Sequence, residues 1–325
     1  MVALNAWWLL AQLLLARLLL ARLLYTSAQM RPTQKILIIG FGDVGERLAK
    51  LLLNKYRVFA LVRKSDKAIF ARQLGVVPVM GDLDDLHSLR RLSGLADMVF
   101  HFAPPPLRGR DDTRTRHLLA ALHQNRPAML PQRLVYISTT GVYGDCRGAA
   151  IDETRIAQPA TDRAYRRVHA ESLLRQWGMR TGVNVSILRA PGIYAANRLP
   201  IERLKIGTPA LIEANDVFTN HIHAEDLARA AWAAATRALP NRIYNVVDDT
   251  DMKMGDYFDV VADHFKLPRA PRVSREAVSS LINAPMLSFM SESRRIGNQR
   301  LKRELRFKLN YPTVADFLHA LPSVD

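Results

Sequence analysis

KILIIGFGDVGERLAKLL, residues 35–52, is the stretch that decides the fold of this chain. Its start, Lys35–Gly40, is a short apolar run typical of a buried parallel strand, and its end has apolar residues at helical spacing. Between them lie three glycines in a G-x-G-x-x-G pattern. The first, Gly40, permits a tight turn; the second, Gly42, lets the backbone approach a pyrophosphate; and the third, Gly45, lets the helix pack on the strand. The stretch therefore predicts a dinucleotide-binding turn.

Further strand-like segments follow at regular intervals and are separated by helical stretches. The next is RVFALV, residues 57–62, and the later ones are 76–79, 98–102 and 133–138. This alternation predicts an α/β Rossmann fold with a doubly wound parallel sheet over residues 35–188. Residues 189–325 should form a smaller C-terminal mixed α/β lobe on the substrate side. One helix, Ala224–Ala238, and one strand, Asn241–Val247, are expected to return from that lobe to the sheet.

The end of the second strand bears on the choice of cofactor. An NAD enzyme places an acid there to hold the ribose 2′-hydroxyl, but this chain has Arg63-Lys64, with Asp66 three residues after Arg63. A guanidinium suits the 2′-phosphate of NADP, because it can contact a phosphate through two hydrogen bonds. We therefore expect NADP, with NAD as the alternative; the competing interpretation makes Arg63 a solvated loop residue.

Residues 1–29 form a hydrophobic, leucine-rich segment that is interrupted by Arg17 and Arg22. Two interpretations stay open: a membrane anchor, or an over-extended start with the true first residue at Met30. Any membrane contact would come only through this segment. The single cysteine, Cys146, excludes an intrachain disulfide framework, so the rest of the chain is expected in the cytoplasm.

The chain is strongly basic, with a net charge of +16. The densest cluster of cations lies within Arg294–Lys308, which we interpret as a solvated helix and loop. Since no nucleic-acid motif accompanies it, we expect no nucleic-acid partner. The histidines do not fall beside the cysteine at metal-ligand spacing, so no metal site is predicted.

Several motifs together resemble the extended short-chain dehydrogenase/reductase superfamily, in the NAD-dependent epimerase/dehydratase group. They are GFGDVG (40–45), GDLDD (81–85), HFAPPP (101–106), ISTTGVYGD (137–145), ILRAPGIY (187–194), FTNHIHAEDLARA (218–230) and IYNV (243–246). The resemblance implies that the cofactor is bound by Gly40, Phe41, Gly42, Asp43, Val44, Gly45, Arg63, Asp82, Leu83, Phe102, Ala103 and Pro104.

The resemblance also points to catalytic residues, and here the chain departs from the family pattern. Counting back from Tyr143 of the VYG motif makes Thr139 the residue that would polarise the substrate oxygen. The family's Tyr-x-x-x-Lys pair is missing: Tyr165 has His169 four residues on. Alignment on Glu171 instead puts Arg163 and Arg167 at the two positions. Arginine cannot act as a general base but can supply charge, and Tyr165 with His169 shares one helix face.

These features lead to two competing functions. The first is an NAD(P)-dependent oxidoreductase or epimerase acting on a small, anionic or sugar-derived substrate. The second is a non-catalytic NADP-binding sensor or scaffold, which the broken Tyr/Lys pair favours. The chain thus resembles an atypical branch of the superfamily, and the resemblance further suggests a homodimer.

Overall fold

The computed structural model describes residues 34–123, 129–282, 287 and 290–321. The hydrophobic segment 1–29 lies outside the described residues, so its two interpretations stay predictions. Within the described ranges, no helix is both long enough and apolar enough to cross a bilayer.

The strands are β1 Lys35–Ile39, β2 Arg57–Val62, β3 Val77–Met80, β4 Met98–His101, β5 Arg133–Thr139, β6 Ala150–Ile151, β7 Asn184–Ala190, β8 Gly192–Tyr194, β9 Ala210–Leu211, β10 Phe218–Thr219, β11 His221–His223, β12 Arg242–Asn245, β13 Met252–Lys253, β14 Arg272–Val273 and β15 Arg295–Ile296. The α-helices are α1 Asp43–Leu52, α2 Ser65–Gln73, α3 Thr113–Leu122, α4 Asp162–Thr181, α5 Ile201–Lys205, α6 Ala224–Arg237, α7 Met254–His264, α8 Arg275–Leu281, α9 Gln299–Glu304 and α10 Val314–His319.

Seven of these strands form one sheet in the order β12-β7-β5-β4-β1-β2-β3, and every pairing in it is parallel. The strand order reverses direction beside β1, which is the topological switch point where ligands of such sheets bind. The predicted Rossmann fold class is therefore confirmed. Strand β12 comes from the C-terminal part of the chain and joins the edge of the sheet beside β7.

Helices cover both faces of the sheet because both faces are apolar. In β1, Ile36 and Ile38 pack into a core with α1 and the alanine-rich α6. The alternate residues, Leu37 and Ile39, pack into a second core with α3 and α4. This is the period-two alternation of a strand buried on both sides, and it explains why the sequence of β1 is continuously apolar.

Several of the remaining short strands and helices build the smaller lobe. Strand β8 pairs in parallel with β11, β9 pairs in parallel with β14, and β10 pairs antiparallel with β13. Their apolar core includes Tyr194, Tyr257, Phe258 and Phe317. This lobe begins directly after β7, so it lies next to the carboxyl end of the sheet.

The basic segment Arg294–Lys308 directs several of its cations inward. The Arg294 guanidinium donates to the carbonyl of Gly144 at 2.6 Å, and Arg300 donates to the carbonyl of Ile243 at 3.1 Å. Lys302 pairs with Asp249 at 2.5 Å. These contacts attach the C-terminal segment to strand β12 and to loops beside the sheet. Part of the positive charge of the segment therefore stabilises the fold.

Candidate functional site

The three glycines of the turn between β1 and α1 each have different surroundings. Gly40 has φ of +96°, and a Cβ there would lie 2.4 Å from the backbone nitrogen of Ala103. A Cβ on Gly45 would lie 2.7 Å from the carbonyl oxygen of Gly40, so only glycine lets α1 approach β1 this closely. A Cβ on Gly42 would meet nothing within 4 Å. The space in front of Gly42 is thus open to a ligand, as pyrophosphate binding requires.

A cavity of about 340 Å³ lies at the carboxyl ends of β1 to β4, and we call it the glycine-turn cavity. Nine of the twelve residues predicted for the cofactor line it; these are Gly40, Phe41, Gly42, Arg63, Asp82, Leu83, Phe102, Ala103 and Pro104. The other three, Asp43, Val44 and Gly45, form the first turn of α1. The N-cap residue of that helix is Gly42, which has no side chain to accept hydrogen bonds from the first N–H groups. The donors and the open space fit a dinucleotide.

Cations gather at the end of the cavity that adjoins β2. Arg63, which is 59% exposed, has its guanidinium 3.8 Å from the Asp82 carboxylate. Lys64 and Lys67 also line the cavity. The Lys67 ammonium lies 3.2 Å from the Glu46 carboxylate and 4.8 Å from the centre of the Phe70 ring. The positive charge is therefore shared by three side chains, of which only Arg63 is predicted from the sequence to contact the cofactor.

Two residues of α3 hold the turn after β3 in place. The Arg114 guanidinium donates to both carboxylate oxygens of Asp84, at 2.8 and 2.7 Å, and also to the carbonyl of Pro104 at 3.2 Å. Its hydrogen bond holds the pKa of Asp84 below the ordinary value. One turn along the helix, His117 donates from Nδ1 to the carbonyl of Leu83 at 2.7 Å. Helix α3 thereby clamps together two of the turns that line the cavity.

Thr139 lies at the carboxyl end of β5, where a 3-10 turn over Thr140–Tyr143 begins. It is half-buried, and its hydroxyl accepts a hydrogen bond from the N–H of Gly141 at 3.2 Å. The hydroxyl proton is left available for another acceptor. Thr139 is therefore placed at the sheet edge where ligands of doubly wound folds bind.

A buried ionic network supports this strand end. Ser138 donates to Glu171 at 2.6 Å, and Arg189 donates to both oxygens of Glu171 at 3.1 and 2.7 Å. The side chains of Arg189 and Glu171 are only 5% and 6% exposed. The same guanidinium lies 4.7 Å from the centre of the Tyr143 ring. In the sequence, Glu171 serves only to align the chain with the family pattern. In the structure it joins α4 to β5 and β7.

Tyr165 and His169 lie on the same side of α4 but have separate partners. Tyr165 is 37% exposed, and the guanidinium of Arg110 lies 4.4 Å from the centre of its ring. His169 accepts at Nδ1 from the backbone N–H of Asp112 at 2.9 Å. A neutral His169 in this contact carries its proton on Nε2, which makes Nε2 the side that can donate.

The two arginines of the alternative register differ in burial. Arg167 is buried and donates to the Tyr136 hydroxyl and to the carbonyl of Ile137, both at 2.8 Å. Burial raises the pKa of Tyr136 to about 12, so it stays a phenol. Arg163 is exposed near the start of α4. The two hydrogen bonds of Arg167 thus fix the position of β5 near its carboxyl end.

Comparison with known proteins decides the family. The model of the NAD dependent epimerase/dehydratase family matches residues 36–246, which is more than half of the chain. The chain belongs to this family. The predicted membership in the extended short-chain dehydrogenase/reductase superfamily is thereby confirmed.

Individual relatives and solved structures are similar to this chain at low identity. A GDP-6-deoxy-D-mannose reductase of Pseudomonas aeruginosa is 27% identical over 256 residues, covering 71% of this chain and 80% of that protein. A functionally unknown conserved protein from Silicibacter pomeroyi has a TM-score of 0.73 at 29% identity, covering 89% and 98% of the two chains. MoeE5, solved in complex with UDP-glucose and NAD, has a TM-score of 0.69 at 20% identity, covering 88% and 96%. Family membership supports a nicotinamide dinucleotide as the cofactor.

The family signature around β11 contains two buried histidines that face the same way. His223 accepts at Nδ1 from the N–H of Glu225 at 3.3 Å and so caps α6, and burial lowers its pKa to about 4. The ring of His221 lies 4.2 Å from that of Tyr257. Both are neutral near pH 7, because burial also lowers the pKa of His221 to about 3.

Within this family fold, sequence reasoning missed Lys67 and the clamp formed by Arg114 and His117. For Lys67 a signal existed, because it lies in the first turn of the helix that directly follows β2. For Arg114 no local signal exists, since its partner Asp84 is 30 residues away.

Proposed function

We propose that this protein is an NADP-dependent oxidoreductase or epimerase that acts on a small, anionic or sugar-derived molecule. The single observation that carries the proposal is the glycine-turn cavity, whose β2 end is lined by Arg63, Lys64 and Lys67. In folds of this kind the adenine ribose lies near the end of the second strand. Three cations at that point match a 2′-phosphate better than a 2′-hydroxyl.

The chain offers groups for the pyrophosphate and the adenine of the dinucleotide, and a turn that packs against it. The N-terminal turn of α1, Asp43–Gly45, would hold the pyrophosphate, Asp82 and Leu83 would contact the adenine, and the turn at Phe102–Pro104 would pack against the cofactor. When bound, the nicotinamide supplies hydride transfer.

On the substrate side we assign Thr139 the role of hydrogen-bonding the substrate oxygen, because its hydroxyl proton is free to donate at the end of β5. Tyr165 and His169 are the candidates for moving the proton, with His169 donating from Nε2. Arg167 acts as a positioning residue, since both of its hydrogen-bond acceptors belong to β5. The name of the Pseudomonas relative, a GDP-6-deoxy-D-mannose reductase, supports a sugar-derived substrate.

The test is a fluorescence titration of the protein with NADPH and with NADH, followed by assays of NADPH oxidation with carbonyl compounds. We expect binding of both dinucleotides with a preference for NADPH, and turnover of a carbonyl substrate. Absence of binding by either dinucleotide would overturn the proposal.

One observation favours a second candidate, a non-catalytic NADP sensor or scaffold. The position four residues after Tyr165 carries His169 rather than lysine, and its Nδ1 already accepts from Asp112. Tight NADPH binding without turnover of any carbonyl compound would support this alternative over the enzyme.

We further propose that the protein works in the cytoplasm, which is compatible with a chain that has a single cysteine and forms no intrachain disulfide. Insertion into a membrane would come only from residues 1–29. A homodimer is the assembly we propose, which sedimentation analysis would test.

A further inference from the structure

The two edges of the main sheet differ in charge. At the carboxyl edge acids and cations are mixed, as in the contact of Arg63 with Asp82. At the amino edge cations dominate the segments that lead into the seven strands and the last turns of the helices before them. These cations are Lys35, Lys50, Lys55, Arg57, Arg72, Arg90, Arg91, Arg133, Arg180, Arg237 and Arg242. Within the described residues of these segments, the one acid is Asp97. We call this surface the basic edge.

The charge of the basic edge is not neutralised by ion pairs. Within the part of the chain that the structure describes, only Arg242 of this set forms an ion pair, with Glu304. The Asp97 carboxylate accepts a hydrogen bond from the backbone N–H of Lys35 at 2.8 Å. Lys35 and Arg57 begin strands, so the preference of helix C-termini for cations does not explain their presence. Cations collected on one surface produce a positive potential that extends into the solvent.

The members of the basic edge lie on neighbouring elements. Lys35 and Arg57 are partners in the register of β1 and β2. On the other side of the sheet, a Cβ on Gly178 of α4 would lie 2.8 Å from the side-chain oxygen of Asn241, which precedes β12. Since paired strands are about 4.8 Å apart, the starts of the seven strands form one continuous surface.

Exposed apolar side chains accompany these cations. Met179, beside Arg180 in the last turn of α4, is 68% exposed. Leu239, two residues after Arg237, is 57% exposed, and Met129, before β5, is 66% exposed. Cations together with apolar side chains are typical of surfaces that lie in the headgroup layer of an anionic membrane. The apolar side chains offer no hydrogen bonds to a nucleic-acid backbone, so the combination favours lipid.

The leucine-rich segment 1–29 is connected to this same edge. The described chain begins at Gln34, directly before β1 in the interior of the sheet. Only residues 30–33 separate the segment from Gln34, and this connection spans at most about 18 Å when fully extended. A membrane anchor formed by the segment would therefore hold the basic edge next to the membrane surface.

We propose that the basic edge rests on an anionic lipid surface and that residues 1–29 anchor the chain there. Arg17 and Arg22 interrupt the apolar segment and weaken its insertion, so attraction between the basic edge and acidic headgroups adds a second contribution. The glycine-turn cavity lies at the opposite edge of the sheet and would face water. This proposal goes beyond the proposed function and does not depend on the cofactor assignment.

The test is co-sedimentation of the full chain with two kinds of vesicle. One consists of phosphatidylcholine alone, and the other is an equimolar mixture of phosphatidylcholine and phosphatidylglycerol. The ratio of the two partition coefficients reports the attraction to anionic lipid, because insertion of apolar residues contributes to both. Each Lys or Arg near an anionic surface strengthens binding about fivefold, so three or more predict a ratio above about 100. The ratio should fall as salt is added.

The variants replace Lys55 and Arg57, two exposed cations of the basic edge. Lys55→Gln with Arg57→Gln should lower the ratio about 25-fold, and Lys55→Glu with Arg57→Glu should lower it further because the new carboxylates repel the lipid. The matched control is Arg108→Glu with Arg155→Glu, which reverses two exposed cations in loops on the carboxyl side of the sheet. The control should keep most of the ratio. The thermal midpoint of each variant establishes that its fold is kept.

Three results would overturn the inference. The first is equal partition of the wild type into the two kinds of vesicle. The second is an equal loss in the control and in the Lys55→Glu, Arg57→Glu variant, which would mean that net charge acts and not the basic edge. The third is binding of duplex DNA without a preference for phosphatidylglycerol, which would make the edge a nucleic-acid surface.

Discussion

Replacement of Arg63 by aspartate gives the sharpest test of cofactor choice. Charge-assisted hydrogen bonds contribute about 1.5–3 kcal/mol, and we take the lower value because the Arg63 side chain is 59% exposed. The new carboxylate would also repel the 2′-phosphate by about 1 kcal/mol at about 4 Å in water. Together these effects amount to about 2.5 kcal/mol, or about 70-fold weaker binding of NADPH. NADH lacks the phosphate, so its affinity should change little.

The assay is a fluorescence titration of wild type, Arg63→Asp and Arg72→Asp with NADPH and NADH at fixed ionic strength, since salt screens exposed charges. Arg72 is an exposed cation on α2 that does not line the glycine-turn cavity, so Arg72→Asp reproduces the change in net charge alone. Equal losses for the two dinucleotides in Arg63→Asp would refute the reasoning, because they would mean that Arg63 does not contact the 2′-phosphate.

Four further substitutions each change a different measured property. Gly42→Ala should keep the thermal midpoint, since the new Cβ meets no protein atom within 4 Å, yet it should weaken NADPH binding because the Cβ enters the space left for the ligand. Gly45→Ala places a Cβ 2.7 Å from the Gly40 carbonyl oxygen. This variant should therefore lose about 1–3 kcal/mol of unfolding free energy, measured by calorimetry. Thr139→Val should abolish turnover while NADPH affinity is kept, and unchanged turnover would remove Thr139 from the reaction. Burial raises the pKa of Asp248 to about 7 from 3.8, so ionisation destabilises the fold as pH rises between these values. In denaturant unfolding, Asp248→Asn should therefore stabilise the protein by about 2–3 kcal/mol more at pH 8 than at pH 5, and a pH-independent difference would contradict this.

The cofactor side of the site was largely readable from the sequence because its determinants are local. Gly40 and Gly45 are required by contacts within a single strand-turn-helix unit, and the apolar alternation of β1 follows from burial on both faces. Strand ends were less well predicted: the strand expected at 76–79 is observed as Val77–Met80. Such shifts are expected, since the end of a strand depends on its neighbour's hydrogen bonds.

The proposed catalytic side was only partly predictable from the sequence. Helical spacing put Tyr165 and His169 on one face of α4, as the structure has them. The hydrogen bond of His169 to the N–H of Asp112 joins residues that are 57 positions apart, and no local pattern encodes it. The buried pair of Glu171 and Arg189 likewise links a helix to a strand whose relation is set by packing.

The sequence by itself determined the Rossmann fold class, the order of strands and helices, the glycine turn and the cation after β2. These follow from periodicity and from backbone sterics over a few residues. Only the tertiary structure decided the clamp of Arg114 on Asp84, the partners of His169 and the gathering of cations at the amino edge of the sheet. The physical reason is that parallel strands must be joined by long crossovers, so residues that share a site at the sheet edge are brought together by packing and not by proximity along the chain.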